Sequence, residues 1–341
     1  MVSCRRLGVV LAPDGSMLEA EGVLNPGAVR DRDGRLLLFP RMVAPGNVSR
    51  IGIVRIASDG SAERAGIALA PSVVYEYRDA PGGHGCEDAR VTYLAELDRY
   101  VMAYTAFGPR GARIALAVSP DAVRWERLGL VTFPSDELNA VDNKDAAFFP
   151  DVVTAPSGTP CLAFFHRPMR GETINGQTPI PLILGLPPDQ REAACIAYVP
   201  LERARRDVRA LGAPAESVRV LDVDPRWGRL KNGAGTPPVR TPYGWLSMFH
   251  GVDAVEGPAG PALFYSAGVM INDIEQPHRI VYRSPEPVLV PETRAERFGT
   301  VNDVVFPTGI DPAGAGEFDI YYGAADAKIA RARLTVEAAP A

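Results

Sequence analysis

The sequence predicts an all-β fold, a five-bladed β-propeller with its active site in a central funnel. Three observations lead there. First, one pattern returns five times, an aromatic-containing, β-rich run that ends on a polar or charged residue. The copies are Asp33–Arg41, Asp98–Thr105, Gly158–Arg167, Tyr243–His250 and Glu317–Asp326, with starts 65, 60, 85 and 74 residues apart. A strand-rich unit of that length, repeated, reads as the blade of a propeller. Second, the 33 glycines and 32 prolines are spread along all 341 residues, which suits short strands joined by turns and argues against long helices. Third, polar and apolar residues alternate in stretches such as Arg113–Ser119 and Arg279–Arg283, the period of a strand.

Along the chain, residues 119–126 read as a turn leading into a new strand. Two stretches interrupt the repeat. Residues 169–193 are rich in Pro and Gly and are expected to form a long loop or lid, because loops of such length are usually functional or disordered. Residues 202–217 are charged and are expected on the surface, as a short helix. Neither marks a domain boundary, so residues 1–341 are read as a single propeller domain. Residues 334–341 are rich in Ala and Pro and are expected to fray. In a propeller the equivalent strands converge on one axis, so Arg41, His166, Arg167, His250 and Asp326 are expected to share the funnel.

Composition bounds the function. With 46% hydrophobic and 23% charged residues, the chain can bury a sizeable core. A net charge of −5 argues against a general nucleic-acid surface. No apolar run approaches the roughly 18 residues of a membrane helix, and no apolar segment of signal-peptide length follows Met1. Cys4, Cys86, Cys161 and Cys195 lie far apart without CxxC spacing. They read as free thiols of a cytoplasmic protein, with no zinc or disulfide framework.

Two groups of residues carry chemistry. In Glu87-Asp88-Ala89-Arg90, strand alternation places Glu87 and Ala89 on one face, and Asp88 beside Arg90 on the other. Arg90 would then orient Asp88 or lower its pKa; the plainer alternative is a salt-bridged blade corner. The second group is cationic: Lys144, Arg167, Lys231 and His250 sit at or near equivalent repeat ends. Gathered on one axis of an acidic protein they would trap an anion, and Arg forks with Lys point charges suit phosphate. The glycine-rich Lys231–Pro238 would add backbone N–H groups. Taken singly, each is a surface charge. GxxxxGK[ST], GxSxG and HExxH motifs are absent from the sequence, so it offers no P-loop, nucleophile elbow or zincin site.

These segments, in this order, resemble glycoside hydrolase family 130, the five-bladed propeller mannoside phosphorylases and related mannosidases. The likeness runs through Asn25-Pro-Gly-Ala28, Glu87–Thr92, Tyr104–Phe107, Asn143-Lys-Asp145 with Phe149-Pro150, and His166-Arg-Pro168. It continues through Lys231–Pro238, Gly244-Trp245 with Phe249–Val252, Arg283–Leu289, Val304–Gly309 and Tyr321–Asp326. The resemblance implies that Asp88 is the proton donor. It implies that Asn25, Arg41 and Asp326 hold the mannosyl unit, and that Lys144, Arg167, Lys231, His250 and Tyr265 bind inorganic phosphate. Two positions depart from the family pattern. Ala89 stands where the family usually has proline, which loosens the backbone. Lys144 stands where phosphorylases often have arginine, keeping the charge without the bidentate fork.

The chemistry agrees. An inverting hydrolase needs a carboxylate pair, one acid and one base. Phosphate is already a nucleophile, so a phosphorylase needs one acid and a cationic cradle. Alternation would turn Glu87 away from the site. The expected activity is therefore an inverting β-mannoside phosphorylase yielding α-mannose 1-phosphate, with a proton relay through the mannose 3-hydroxyl implied by the resemblance. A β-1,2-mannoside hydrolase of the same fold and a non-catalytic glycan-binding propeller are the alternatives. No metal or organic cofactor is expected beyond phosphate as co-substrate. The expected partners are a β-mannoside oligosaccharide and phosphate, with no nucleic acid or membrane, in a monomer or homodimer.

Overall fold

A computed structural model describes residues 2–169, 173, 178–224, 226–257 and 260–337. The fold is all-β, and its strands follow one scheme. The N-terminal strand β1 (Val2–Leu11) is set aside to pair at the far end of the chain. Strands β2 (Gly22–Arg30), β3 (Leu36–Ala44), β4 (Val48–Ile56) and β5 (Ala62–Leu69) run antiparallel in sequence order. So do β6 (His84–Leu94), β7 (Arg99–Gly108), β8 (Gly111–Ser119) and β9 (Glu126–Leu130). A two-residue parallel join, Val48 to His84 and Ser49 to Gly85, makes these eight strands one sheet.

The next sheet holds β10 (Asn143–Phe148), a short edge piece β11 (Val153–Thr154), β12 (Pro160–Pro168), β13 (Ala194–Pro200) and β14 (Glu216–Leu221). The following one repeats that plan with β15 (Lys231–Ala234), the edge piece β16 (Val239–Thr241), β17 (Gly244–Gly257), β18 (Gly260–Asn272) and β19 (Ile280–Arg283). The last contains β20 (Val305–Gly314), β21 (Glu317–Ala324) and β22 (Lys328–Val336), completed by β1. All five copies of the sequence repeat fall on equivalent strands: β3, β7, β12, β17 and β21, each next to the first strand of its run.

The apolar repeat explains the packing. Its alternating faces feed separate clusters, each lying between consecutive runs of strands. Phe39, Met102 and Tyr104 join the first two runs, and Leu116, Phe148 and Phe164 the next pair. Phe149, Phe165 and Trp245 follow, then Met248, Ile320 and Tyr322. A last cluster, with Leu38, Tyr321 and Ile329, joins the final run to the first. Each fully buried Phe or Leu contributes about 1.5–3 kcal/mol. First strands also meet: β2 touches β6 and β20, β6 touches β10, and β10 touches β15.

Most local expectations hold. Arg113–Ser119 lies in β8, the 119–126 turn leads into β9, and Ile280–Arg283 is β19. The four cysteines carry free thiols. Residues 202–217 include a helix, Leu201–Arg206, and a 3-10 turn, Val208–Gly212. This stretch is not wholly on the surface, because Leu201, Ala204 and Leu211 pack into the core. The fraying expected from residue 334 is corrected for Leu334–Val336. They pair with Cys4, Ser3 and Val2 of β1, because the N-terminal strand supplies the backbone partners; residues 338–341 lie outside the described ones. Of the 169–193 stretch, residues 178–193 include a helix, Ile180–Leu184, and a 3-10 turn, Pro188–Gln190, while 170–172 and 174–177 lie outside the described residues. No helix of the described residues is long and apolar enough to cross a membrane.

Candidate active site

One backbone device positions the polar residues. In three first strands the register slips against the neighbour: between Leu24 and Gly27 in β2, Glu87 and Arg90 in β6, and Lys144 and Ala147 in β10. The residue just inside each slip has left-handed backbone: Asn25 at φ 44°, Asp88 at φ 50° and Asp145 at φ 60°. Asn and Asp tolerate that region better than other residues with a side chain. A bulge breaks the simple alternation of a strand and re-aims its side chains.

That break corrects the sequence reading of Glu87-Asp88-Ala89-Arg90. The Asp88 carboxylate is not oriented by the Arg90 side chain. It accepts a hydrogen bond from Asn25 Nδ2 at 2.9 Å and lies 3.6 Å from Arg41 Nη1. Arg90 instead donates to the Asp88 backbone carbonyl at 3.0 Å, and reaches Asp145 at 3.4 Å. Glu87 does not turn away either. Its carboxylate accepts from Arg41 Nη2 at 3.0 Å, and it faces the same cavity as Arg41.

That cavity, about 320 Å³, is lined by Glu21, Arg41, Asn47, Glu87, Phe107, Lys144 and Asp326 among others. Arg41 is held by Ser49 Oγ at 2.9 Å and Asn47 Oδ1 at 3.0 Å, so its fork is fixed before any ligand arrives. Asp326, at φ 48° beyond β21, is pushed up to about 6. Burial is the main cause, with Asp88 and Glu87 adding to it and Arg41 and Lys144 opposing it. A larger cavity, about 580 Å³, lies at the opposite strand ends among Arg30, Arg55, Asp311 and Tyr321. None of the expected site residues lines it.

Behind the cavity is a buried cluster. Arg167 Nε donates to Asp145 Oδ2 at 2.6 Å, and Arg167 Nη1 pairs with Glu192. Burial works against the Asp145 anion, yet Arg167, His250 and Arg90 hold its carboxyl far below the usual range. Lys231 is pushed down to about 8 by burial and Arg167, against the pull of Glu192 and Asp145. Its ammonium stands 5.8 Å from the Tyr265 ring centre. His250 Nε2 is 3.7 Å from Asp145 Oδ2, and its ring packs 4.6 Å from Phe306 and 6.2 Å from Tyr265. Burial holds His250 down at about 3, so it is a neutral hydrogen-bonding group at neutral pH and not the cation expected from sequence. Burial raises the Tyr265 phenol, which therefore stays protonated as a donor. Gly233 allows this crowding: a Cβ there would lie against Asp145 and within 2.6 Å of His250 Cε1. The glycine thus serves close packing of side chains around it.

All nine expected site residues fall into these two neighbouring groups. Arg41, Lys144 and Asp326 line the cavity, Asp88 adjoins it beside Arg41 with Asn25 behind, and Arg167, Lys231, His250 and Tyr265 lie in the cluster. Lys144 is partly exposed on the cavity side, across the strand pair from Arg167. His166, expected in the funnel, points the other way. Its Nδ1 meets Asn143 and its Nε2 meets Ser217 at 2.7 Å, against Phe133. Consecutive strand residues face opposite sides, so Arg167 and His166 cannot both enter the site. Sequence reasoning missed Asp145 and Glu192 and set Glu87 aside. Asp145 had a signal, because Asn25, Asp88 and Asp145 each precede a small residue or proline at the same point of a first strand.

The comparisons with known proteins bear on the family and the fold. A family model described as beta-1,4-mannooligosaccharide phosphorylase matches residues 5–168 and 213–339. A 1,2-beta-oligomannan phosphorylase of a Thermoanaerobacter species is 29% identical over 264 residues, covering 74% of this chain and 69% of its own. The structure of a β-1,2-mannobiose phosphorylase from Listeria innocua, in complex with β-1,2-mannobiose, superposes with a TM-score of 0.73 at 20% identity. It covers 98% of this chain and 96% of the other. A further structure, solved in work on family members that hydrolyse β-1,2 mannosidic linkages in Candida mannan, gives a TM-score of 0.67 at 21% identity, covering 98% and 93%. The chain belongs to glycoside hydrolase family 130 and is an enzyme of that glycoside phosphorylase family.

Proposed function

We propose that the protein is an inverting β-mannoside phosphorylase, which transfers a mannosyl unit to inorganic phosphate and releases α-mannose 1-phosphate. The observation that carries the reading is the adjacency of two unlike groups, joined by Arg90, which bonds both the Asp88 carbonyl and the Asp145 carboxylate. One side sets Asp88 beside Arg41, which edges a cavity together with Lys144 and Asp326. The other buries Arg167 and Lys231 with the polar edges of His250 and Tyr265.

In this reading the mannosyl unit lies against Asn25, Arg41 and Asp326. Phosphate is held by Lys144, Arg167, Lys231, His250 and Tyr265. Its oxygen attacks the anomeric carbon as the bond to the leaving sugar breaks, and Asp88 supplies the proton that the leaving oxygen takes up, relayed through the mannose 3-hydroxyl. The neutral His250, whose ring nitrogens have no hydrogen-bond partner among the described residues, can donate to a phosphate oxygen. Fixed donors aimed at developing charge are worth about 10²–10³ in rate apiece. Phosphate is the only co-substrate the reading requires, and the cations do the work a metal would do. The five runs of strands are read as blades, arranged in a ring by the core clusters between neighbours and by the β1–β22 pairing. The free thiols fit a cytoplasmic setting, and a monomer or homodimer suffices, because no step calls on a second subunit.

The test is the reverse reaction. The protein is incubated with α-mannose 1-phosphate and a panel of acceptor sugars, with Asp88→Asn as control, and released phosphate is measured. Acceptor-dependent release that disappears in the variant is expected, and it names the acceptor. Mannose liberated from β-mannosides in phosphate-free buffer, with no reverse reaction, would move the protein to the hydrolases.

A further inference from the structure

Besides Asp145, the buried cluster contains a carboxylate that the mechanism does not use, Glu192. It lies on the 178–193 stretch, between the two segments the family model matches. Glu192 is 1% exposed. One carboxylate oxygen pairs with Arg167 Nη1, and the other accepts from the Thr178 hydroxyl at 2.6 Å. Its backbone is pinned as well: Asn232 N donates to the Glu192 carbonyl at 3.1 Å, and Ala194 N to Asn232 Oδ1 at 3.1 Å. This carboxylate is built in on the face of Arg167 not taken by Asp145.

Its placement has a consequence for anion binding. Arg167 and Arg90 are paired with Asp145, and Arg167 with Glu192 as well, so resident anions already offset part of the positive charge around Lys231. A phosphate reaching Arg167 meets a carboxylate on the guanidinium nitrogen that a second phosphate oxygen would take. Like charges at such range in a poorly solvated site oppose binding strongly. Arg167 does not depend on Glu192 for its orientation, because Asp145 already holds Nε at 2.6 Å.

We propose that Glu192, anchored by Thr178, is a specificity-determining residue: an internal counter-anion that takes one phosphate position on Arg167 and so sets how much inorganic phosphate the enzyme requires. The proposal rests on the phosphorylase reading for its purpose, but the affinity it concerns is measured without turnover. Replacing the charge by an isosteric amide keeps the hydrogen-bonding shape while removing the repulsion. A residue that merely clamps Arg167 predicts the opposite sign, since its loss would loosen the fork and weaken phosphate binding.

The experiment titrates inorganic phosphate calorimetrically into wild type, Glu192→Gln and Thr178→Val. A buffer near pH 6.5 keeps Lys231 charged in the wild type, since that amine is held at about 8. The expected result is phosphate binding tighter by roughly tenfold or more in Glu192→Gln, from removal of a nearby like charge. Thr178→Val shifts affinity in the same direction by less, because it frees the carboxylate without deleting it; it decides the matter if Glu192→Gln fails to fold. Binding that is unchanged or weaker in the folded variants, or absent from every protein, overturns the proposal. Failure of the phosphorylase reading looks different: wild type that binds phosphate but yields no mannose 1-phosphate refutes that reading, and the affinity comparison still judges Glu192. In an active enzyme, a KM for phosphate that falls in Glu192→Gln while the KM for the mannoside stays constant is the matching kinetic sign.

Discussion

Asp88 and Asp145 occupy the same place in successive first strands, in the same bulge and with the same left-handed backbone. Their surroundings are opposite. Asp88 is partly exposed, with Asn25 as its hydrogen-bond donor and the cavity-lining Arg41 at 3.6 Å. Asp145 is sealed in among Arg167, Arg90 and His250, and the two guanidiniums hold its carboxyl far below the usual range. One backbone device thus delivers a partly exposed carboxylate beside Arg41 and a buried carboxylate held in its charged form. The difference comes from what each meets across the strands. The first is partly exposed beside a cavity-lining arginine, while the second is the keystone of a cation cluster.

The largest effect tests the first half of that contrast. Asp88→Asn keeps a residue at ease with φ 50° and keeps an acceptor for Asn25, so the fold should survive. Loss of the proton donor should lower kcat by about 10²–10⁴, read as phosphorolysis of a mannoside with an unchanged melting curve. Substantial remaining activity would remove Asp88 from its role. Asp145→Asn should behave the other way round, failing first in stability. It leaves Arg90 and Arg167 short of a buried counter-charge, a loss on the order of 3–5 kcal/mol for a broken buried pair. Urea unfolding measures it, and a variant as stable as wild type would mean that Glu192 and backbone carbonyls suffice to hold the two guanidiniums.

Much of this was legible in the sequence. The five aromatic runs mark equivalent strands because a strand flanked on both faces must be apolar and β-prone, a property local composition records. Arg41, Arg167, His250 and Asp326 close four of those repeat copies, so the repeat located them too. Glu87 was misassigned because alternation assumes an unbroken ladder, and the bulge at Asp88 breaks it. His166 was misassigned because the repeat end holds two polar residues, and only the pleat decides which enters. Glu192 had no local signal: it reaches Arg167 from an interrupting stretch, and nothing near it in sequence records that contact.

The pH dependence sharpens the contrast between the two sides. Lys231 is pushed down to about 8, from an ordinary lysine value of 10.5. Between these values the unfolded chain binds the proton more often than the folded one. This group's contribution to stability therefore rises with pH across that window. On the proposed reading, phosphate binding should move in the opposite direction, because Lys231 would hold phosphate as the ammonium. The kcat/KM for phosphate should fall roughly tenfold per pH unit above about 8, as expected for loss of one essential protonated group. Lys231→Arg, which stays charged, should flatten that limb if the larger head is accommodated. A wild-type profile level to about pH 10 would show that bound phosphate does not depend on the Lys231 charge.

The smallest expected effect separates neighbours on one strand. His166 and Arg167 are adjacent, yet Arg167 belongs to the cation cluster and His166 to the packing between runs, bonded to Asn143 and Ser217. Burial holds His166 at about 3, so it is neutral at neutral pH and adds no charge to the anion site. His166→Gln keeps a donor and an acceptor but fills the space beside Phe133 less well. It should change kcat/KM for phosphate by less than about twofold, while lowering stability by about 1–3 kcal/mol through imperfectly satisfied polar atoms. Arg167→Lys should reverse the pattern, losing the fork and with it phosphate affinity. If His166→Gln instead loses phosphate affinity at unchanged stability, the pleat does not divide these two residues, and the boundary between packing and chemistry must be redrawn through Asn143.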